Sequence, residues 1–163
     1  MTTLIRNAIS VRPSTIHGRG VFADKDIAPG EIIEECHLVV MSDKPSPLRD
    51  YLFNLCKPEQ PDEVAKHGLV LGFGSIYNHS NKPNTHYEYD HDKFVVRFTA
   101  ISAIYRDEEI FTYYGHNWFQ LRNTLPCRPS IMARVKWMIR RHSYLFRAGL
   151  TLAAILCILQ LVQ

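Results

Sequence analysis

Apolar and polar residues alternate over short runs through the first 120 positions of this chain of 163 residues. The segment 94–99 alternates with a period of two, which is the period of a β-strand with one buried face. Together with Tyr87–Tyr89 it predicts a β-hairpin whose turn lies at 90–93. Glu31–Met41 is another predicted strand, and no long amphipathic helix precedes residue 130. The pattern therefore predicts a mostly β fold made of several small sheets.

Glycine and proline mark the turns between these runs. In Ala28–Gly30, a proline at the second position of the turn and a glycine at the third predict a type II β-turn. A similar pattern recurs within Ala103–Phe111, where Asp107 stands in the place of the glycine, and we expect a β-turn there too. The exception to the strand pattern is Leu48–Leu55, whose apolar residues have helical spacing and predict a short helix.

Three short motifs carry the candidate chemistry. Gly18-Arg19-Gly20 can bring the backbone close to a ligand, because glycine adopts conformations that other residues avoid. Asn78-His79-Ser80, closed by Pro83-Asn84, places side chains in a turn where they can bond to the backbone or to a ligand. Glu109–Gly115 predicts a short strand that ends in an exposed tyrosine, Tyr114, and a glycine. Each motif taken alone is more typical of turn capping or packing than of a functional site.

In combination and in this order, the three motifs resemble the signatures of the SET-domain lysine methyltransferases. That family carries a Gly-x-Gly, an Asn-His-x-x-x-Pro-Asn and a Glu-Glu-Leu-x-x-x-Tyr-Gly. The resemblance covers roughly residues 5–122. The segments Gly30–Cys36, Asp50–Phe53 and Leu71–Gly74 are further similar to compact members, above all the small chlorella-virus SET protein and compact bacterial SET proteins. The resemblance implies a SET fold, in which the Tyr114 segment threads beneath the loop around Asn78 as a pseudoknot.

The resemblance also implies S-adenosyl-L-methionine as cofactor and a protein lysine as methyl acceptor. Tyr114 matches the tyrosine whose hydroxyl orients the methyl donor and the amine, and it is the predicted catalytic residue. Thr112, two positions earlier, matches a position that affects how many methyl groups fit, which leaves the methylation state open. The matched cofactor-binding positions are His17, Gly18, Arg19, Gly20, Asn78, His79 and Tyr114. The matched aromatic positions near the lysine channel or its rim are Tyr51, Tyr77 and Trp118.

Two other kinds of site are not predicted. Glu108 and Glu109 are adjacent in a predicted strand, so their side chains point to opposite faces and cannot form a carboxylate pair for hydrolysis. The four cysteines lie far apart, and the histidines show no spacing typical of a metal site. We therefore expect reduced cysteines and no metal. Many SET enzymes carry a cysteine-rich zinc cluster after the domain, and this sequence has none beyond Tyr114, so its cofactor site must close in another way.

Charge divides the chain at about residue 127. The 13 Lys and Arg and 16 Asp and Glu of residues 1–127 give about −3, whereas residues 128–163 carry six basic and no acidic groups. An acidic domain favours basic peptides, and a basic tail favours an anionic lipid surface or nucleic acid. No direct contact with nucleic acid is predicted. Met1–Val11 lacks the apolar core of a signal peptide.

The predicted organisation is a SET domain at 5–122, a linker at 123–130 and a helical tail at 131–163. The tail is first basic and amphipathic, and Ala148–Val162 is then almost wholly apolar, enough for about 23 Å of helix. We predict a C-terminal membrane anchor that keeps the domain at the cytoplasmic face, or otherwise in the cytoplasm. The alternatives are a helix packed on the domain, one packed on a second copy in a homodimer, and a helix on the membrane surface.

The sequence therefore predicts an S-adenosylmethionine-dependent protein-lysine N-methyltransferase that acts on a Lys-rich segment such as a histone tail. The alternative is a catalytically silent, membrane-tethered SET-like module that binds basic peptides. Intact Tyr114, Asn78 and His79 favour the enzyme.

Overall fold

The computed structural model describes residues 8–42, 46–55 and 67–127 and the single positions 135, 138 and 139. The chain divides into two compact units, Met1–Cys127 and Arg128–Gln163. In the second unit, the three described residues are helical and their side chains are exposed. The rest of the predicted tail lies outside the described residues. Among the residues described, no helix is long and apolar enough to cross a membrane.

Nine strands and three short 3₁₀ helices make up the described part of the first unit. The strands are β1 (Ile9–Pro13), β2 (Arg19–Ala23), β3 (Ile32–Met41), β4 (Leu52–Asn54), β5 (His67–Leu71), β6 (Asn78–His79), β7 (Thr85–Asp90), β8 (Val95–Ala100) and β9 (Glu109–Thr112). The 3₁₀ helices are η1 (Ser46–Tyr51), η2 (Phe73–Ile76) and η3 (Gln120–Arg122). One sheet has the order β1-β2-β9-β6 and the other the order β4-β5-β3-β8-β7. The prediction of a mostly β fold in small sheets is confirmed.

The predicted hairpin is also confirmed. β7 pairs with β8 in antiparallel register from Thr85 opposite Ala100 to Asp90 opposite Val95. β3 pairs with β8 on one side and with β5 on the other, so the predicted strand at 31–41 is the centre of the larger sheet.

The short helix predicted at Leu48–Leu55 is partly wrong. Ser46–Tyr51 forms a 3₁₀ helix, but Leu52–Asn54 is a strand that pairs with β5, with Leu52 opposite Leu69. A helix of so few residues is not stable by itself, and 3₁₀ turns are common in such short pieces. The backbone of 52–54 gains ladder bonds at the sheet edge instead, which spacing of apolar residues alone does not reveal.

One apolar core joins the two sheets. Val21 and Ile110 come from the four-stranded sheet, and Ile33, Val96 and Phe98 come from the five-stranded sheet, and all five are fully buried in one cluster. Burial of a side chain of this size stabilises the fold by roughly 1.5–3 kcal/mol. The core therefore fixes β2 and β9, which carry the site, against the larger sheet.

Both predicted β-turns are present. The Glu31 amide donates to the Ala28 carbonyl at 3.1 Å, and Gly30 has φ of 82°. The Glu108 amide likewise donates to the Tyr105 carbonyl at 2.9 Å, with Asp107 at φ of 68°. A left-handed conformation is costly for a residue with a Cβ.

The side chain of Asp107 has a second role beside the turn. Its carboxylate accepts a hydrogen bond from the Arg12 guanidinium at 2.5 Å, and Arg12 also pairs with Asp24. Compared with glycine, the aspartate is less favourable in this backbone conformation, but its side chain forms an ion pair between the turn and β1.

We predict that Asp107→Gly is more stable than Asp107→Ala by about 1 kcal/mol, because only alanine keeps a Cβ at this positive φ. Both variants lose the half-exposed ion pair with Arg12, so the comparison isolates the backbone term. Urea unfolding of the two proteins measures the difference. Equal midpoints would show that the turn relaxes away from the left-handed conformation.

Candidate active site

The segment that leads to Tyr114 lies beneath the loop that begins at Asn78. β6 and β9 are parallel neighbours, with Asn78 opposite Phe111 and His79 opposite Thr112. The carboxamide of Asn84 donates to the Glu109 carbonyl at 2.9 Å and accepts from the Phe111 amide at 2.7 Å. The Asn84 carboxamide therefore replaces a neighbouring strand for this part of β9, which gives the threaded arrangement that the resemblance implies.

The side chain of Asn78 brings the first two motifs together with β9. The two hydrogens of its Nδ2 are shared among three acceptors: Oε1 of Glu109 at 2.7 Å, the Arg19 carbonyl oxygen at 3.1 Å and the His17 carbonyl oxygen at 3.2 Å. Asn78 is buried, and its bond to Glu109 is formed away from water, whereas the two bonds to the loop are partly buried. Positions 17–20, 78 and 109 consequently form one cluster.

The two glycines of the Gly-Arg-Gly motif serve different purposes. A Cβ on Gly20 would lie 2.0 Å from Oε1 of Glu109 and 3.1 Å from Nδ2 of Asn78, so only glycine fits beside this pair. Gly18 has φ of 47°, and a Cβ there would meet no heavy atom within 4 Å. The loop is thus closed on the side of Gly20 and open at Gly18, where His17, Gly18 and Arg19 are exposed.

Glu109 is a buried carboxylate at the centre of this cluster. Its Oε2 accepts from the hydroxyl of Ser14 at 2.9 Å, and its Oε1 accepts from Asn78. Burial raises the pKa of Glu109, and the bonds from Asn78 and Ser14 oppose that shift. Glu108 instead accepts from the Tyr105 amide at 3.0 Å, so the two adjacent glutamates occupy different places, as predicted.

Tyr114 is held at both ends. Its hydroxyl donates to the Tyr77 carbonyl at 2.7 Å, and its backbone amide donates to Nδ1 of His79 at 3.2 Å. Burial raises the pKa of Tyr114 to about 12, and the charge of Glu109 acts in the same direction. The phenol therefore stays protonated at neutral pH and has a fixed orientation.

His79 has its tautomer fixed by its two neighbours. Since Nδ1 accepts the Tyr114 amide proton, Nε2 carries the ring hydrogen, which it donates to Oδ1 of Asn81 at 3.0 Å. Burial lowers the pKa of His79, which favours the same neutral ring. The ring centre lies 5.3 Å from that of Tyr114 and 4.8 Å from that of Phe119. His79 thus positions the backbone of Tyr114.

A cleft of about 380 Å³ opens beside Tyr114. Tyr51, Tyr77, Tyr114 and Trp118 all line it, so the structure brings together the four aromatic residues predicted at the catalytic centre and the lysine channel. The ring centres of Tyr114 and Trp118 are 4.8 Å apart. Tyr51 is 49% exposed, as expected of a residue at a rim. The roles of these residues stay predictions.

Tyr77 differs from the other three because its ring is part of the core. Only 1% of the residue is exposed, its ring packs edge-on against Phe98 at 4.9 Å, and its hydroxyl donates to Oε2 of Glu34 at 3.2 Å. What it presents to Tyr114 is its backbone carbonyl. This geometry favours a supporting role for Tyr77 over a place in the wall of a lysine channel.

Sequence reasoning missed the acidic groups that hold the site. Glu109 belongs to a recognised motif, but its partner Ser14 carries no signal of its own. Glu34 follows Ile32 and Ile33 in a predicted strand, and an acid at that place is the one hint that it bonds to another group; the structure shows it buried. Among the described residues, no group of three or more His, Cys, Asp or Glu could hold a metal ion.

Comparison with known proteins relates this chain to a protein family and to characterised enzymes. The SET domain family matches residues 18–115. A Schizosaccharomyces pombe histone-lysine N-methyltransferase, specific for H3 lysine 37, is 29% identical over 118 residues, which are 72% of this chain and 80% of that protein. Human histone-lysine N-methyltransferase 2B is 31% identical over 135 residues, which are 75% of this chain but only 5% of the human protein.

Solved structures give the same result. The crystal structure of a candidate histone methyltransferase from Plasmodium falciparum is similar with a TM-score of 0.56 and 32% identity. The match covers 71% of this chain and 99% of the Plasmodium chain. The particular likeness to the chlorella-virus protein stays a prediction.

The raised pKa of Glu109 predicts a pH-dependent stability. The folded pKa lies above the ordinary value of about 4.3, so the carboxyl group favours folding most at low pH, and this contribution is lost as the pH rises through the folded pKa. Glu109→Gln has no such ionisation and can still accept from Asn78. We expect the stability of the wild type, relative to Glu109→Gln, to fall as the pH rises above the ordinary pKa and through the raised pKa of the folded state.

Urea unfolding at several pH values measures this difference, with Glu88→Gln as the control for loss of one exposed glutamate. A wild-type advantage that instead grew with pH would show that the hydrogen bonds from Asn78 and Ser14 outweigh the cost of burial.

Proposed function

Because the chain belongs to the SET domain family, we propose that it is an S-adenosylmethionine-dependent protein-lysine N-methyltransferase. The observation that carries the proposal is the double attachment of Tyr114, whose hydroxyl and amide are fixed at the edge of an aromatic cleft. The named relatives that are histone-lysine methyltransferases support the same reaction.

The cluster around Asn78 suits the cofactor. The side chain of Asn78 donates to two backbone carbonyl groups of the loop 17–20 and so holds the loop in place. The loop is open at Gly18, which leaves room for a ligand to approach the backbone. We assign cofactor binding to His17, Gly18, Arg19, Gly20, Asn78 and His79, with Tyr114 beside the sulfonium. When bound, the cofactor supplies an electrophilic methyl group.

The residues of the cleft would prepare the other reactant. Transfer requires a neutral lysine amine, whose lone pair forms the new C–N bond while the electrons of the S–CH₃ bond return to sulfur. A free lysine has a pKa of about 10.4, so only about one in a few thousand is neutral at pH 7. An apolar aromatic wall lowers that pKa because it removes water from the ammonium group. Tyr51, Tyr114 and Trp118 provide such a wall.

A polar group held in position also favours the transition state. The protein forms no covalent bond in this reaction, so alignment and electrostatics supply the rate. The phenol of Tyr114 is fixed by Tyr77 and stays protonated at neutral pH. We infer that Tyr114 would orient the methyl donor and the amine through its hydroxyl oxygen, whose hydrogen is donated to Tyr77.

The proposed substrate is a Lys-rich segment such as a histone tail. The excess of three acidic groups over residues 1–127 favours a basic peptide. The alternative remains a silent module that binds basic segments. The two differ in whether the protein transfers a methyl group, whatever its affinity for peptides.

The first test is methyl transfer to a mixture of histones and Lys-containing peptides, read by mass spectrometry. We expect methylated lysine with wild-type protein and a loss of about 10²–10³ in rate with Tyr114→Phe, which keeps the ring and removes only the oriented hydroxyl. Wild-type turnover in Tyr114→Phe would make this residue a packing residue.

Tyr89→Phe is a matched control, because it removes a buried tyrosine hydroxyl that has no hydrogen-bond partner among the described residues. Its rate should equal that of the wild type. Calorimetry with S-adenosylmethionine separates loss of cofactor binding from loss of chemistry. Because no metal is predicted, a chelator should leave this binding unchanged, and loss of binding in chelator would contradict the metal-free prediction. Binding without any transfer by the wild type would favour the silent module.

The basic and apolar composition of residues 128–163 supports a second proposal, a C-terminal anchor at the cytoplasmic face of a membrane. If this is correct, deletion of residues 130–163 releases the protein from the membrane fraction and leaves methyl transfer intact, since every motif lies before residue 119. Fractionation and alkaline extraction measure the outcome. A full-length protein that needs no detergent would contradict the anchor, and release by salt alone would indicate a surface helix held by its arginines.

A further inference from the structure

Two chain segments that line the cleft, residues 49–50 and 121–122, are joined by a reciprocal set of arginine hydrogen bonds. Nη2 of Arg122 donates to the carbonyl oxygen of Arg49 at 2.6 Å, and Nη2 of Arg49 donates to the carbonyl oxygen of Leu121 at 2.5 Å. Nε of Arg122 also donates to Oδ1 of Asp50 at 2.7 Å. Residues 49–50 and 121–122 line the same cleft as Tyr114.

Arg122 reaches the aromatic cluster as well. Its guanidinium carbon lies 4.0 Å from the centre of the Trp118 ring, and its Nη1 donates to the Trp118 carbonyl at 3.3 Å. Trp118 in turn contacts Tyr114, with ring centres 4.8 Å apart. One guanidinium therefore fixes the backbone and the ring of the residue that packs on the predicted catalytic tyrosine.

One side of this connection is anchored to the larger sheet. η1 leads directly into β4, which pairs with β5. The single hydroxyl hydrogen of Ser75 is shared between the Val70 carbonyl at 3.1 Å and the Tyr51 carbonyl at 3.4 Å. The segment around η3 can therefore be held in place through η1.

We propose that Arg49, Asp50 and Arg122 form a latch that closes this wall of the cleft and positions Trp118 against Tyr114. Arg122 is then a positioning residue for methyl transfer, an assignment that rests on the proposed function. The side chain of Arg122 is 14% exposed whereas that of Asp50 is 66% exposed, so the arginine depends on its partners more than the aspartate does.

The latch needs arginine in particular. A guanidinium offers several donors in a planar group that can also stack on an aromatic ring, whereas lysine offers a compact charge. Here the three nitrogens bond to three acceptors, on Arg49, Asp50 and Trp118, while the plane lies over the indole. Arg122→Lys keeps the charge and loses this pattern.

Initial rates test the proposal. We expect Arg122→Ala and Arg122→Lys to lower kcat about tenfold or more, because small displacements of positioned groups cost large factors in rate. KM for S-adenosylmethionine should stay within about twofold, since the cofactor cluster is on other elements. Asp50→Asn should show a smaller loss in kcat. Asp90→Asn, which breaks the exposed ion pair with Lys93, is the matched control and should match the wild type.

Trp118 provides a readout that does not depend on activity. The chain has two tryptophans, so Trp137→Phe leaves Trp118 as the only tryptophan, which can be excited selectively at wavelengths that tyrosine does not absorb. In this background we expect Arg122→Ala to shift the emission to longer wavelength, because the indole loses its cover. Thermal melting identifies any variant that fails to fold, and Asp50→Asn then serves in its place.

The outcomes separate the two claims. Unchanged emission in the folded Arg122→Ala variant would overturn the latch. A shift in emission with unchanged kcat would overturn the positioning role and leave only a structural contact. A shift in emission in a protein whose wild type transfers no methyl group would support the latch and reject the proposed function.

Discussion

The site depends on the parallel pairing of β6 with β9, and β6 is only two residues long. β6 consists of Asn78 and His79, and it must hold the segment that carries Tyr114. So short a parallel pair is too weak to fix a strand by itself. Side chains supply what the ladder lacks, because the carboxamides of Asn78 and Asn84 bond to β9 and to its neighbours.

This constraint explains why polar residues are buried next to the core. Asn78 bonds to residues 61, 59 and 31 positions away, so it joins chain segments that are distant in sequence. A hydrogen bond to a charged group contributes roughly 1.5–3 kcal/mol, and a buried partner left without it costs about as much. Glu109, Asn78 and Gly20 therefore form one unit: Asn78 needs an acceptor at position 109, and a Cβ at position 20 would occupy the space of this pair.

Local pattern predicted much of the larger sheet and little of the threading. Strand period and turn residues were sufficient for the β7–β8 hairpin and for the turns at Gly30 and Asp107, because both are local effects. The edge strand β4 was mistaken for helix because its pairing with β5 depends on a segment fifteen residues further on. The placement of Tyr114 beneath the Asn78 loop followed from the family resemblance, since no periodicity encodes a non-local crossing.

The candidate site shows the same division. The motifs named Asn78, His79 and Tyr114, but not the groups that orient them, because such partners need only the right position in space. Glu34 illustrates this point. It accepts a hydrogen bond from the Tyr77 hydroxyl, and the Tyr77 carbonyl accepts one from the Tyr114 hydroxyl. A carboxylate in the centre of the larger sheet is thereby connected to Tyr114 through one buried residue. Substitutions in β3 that keep its apolar pattern can consequently disturb the site, although they lie in a strand that sequence analysis treats as core.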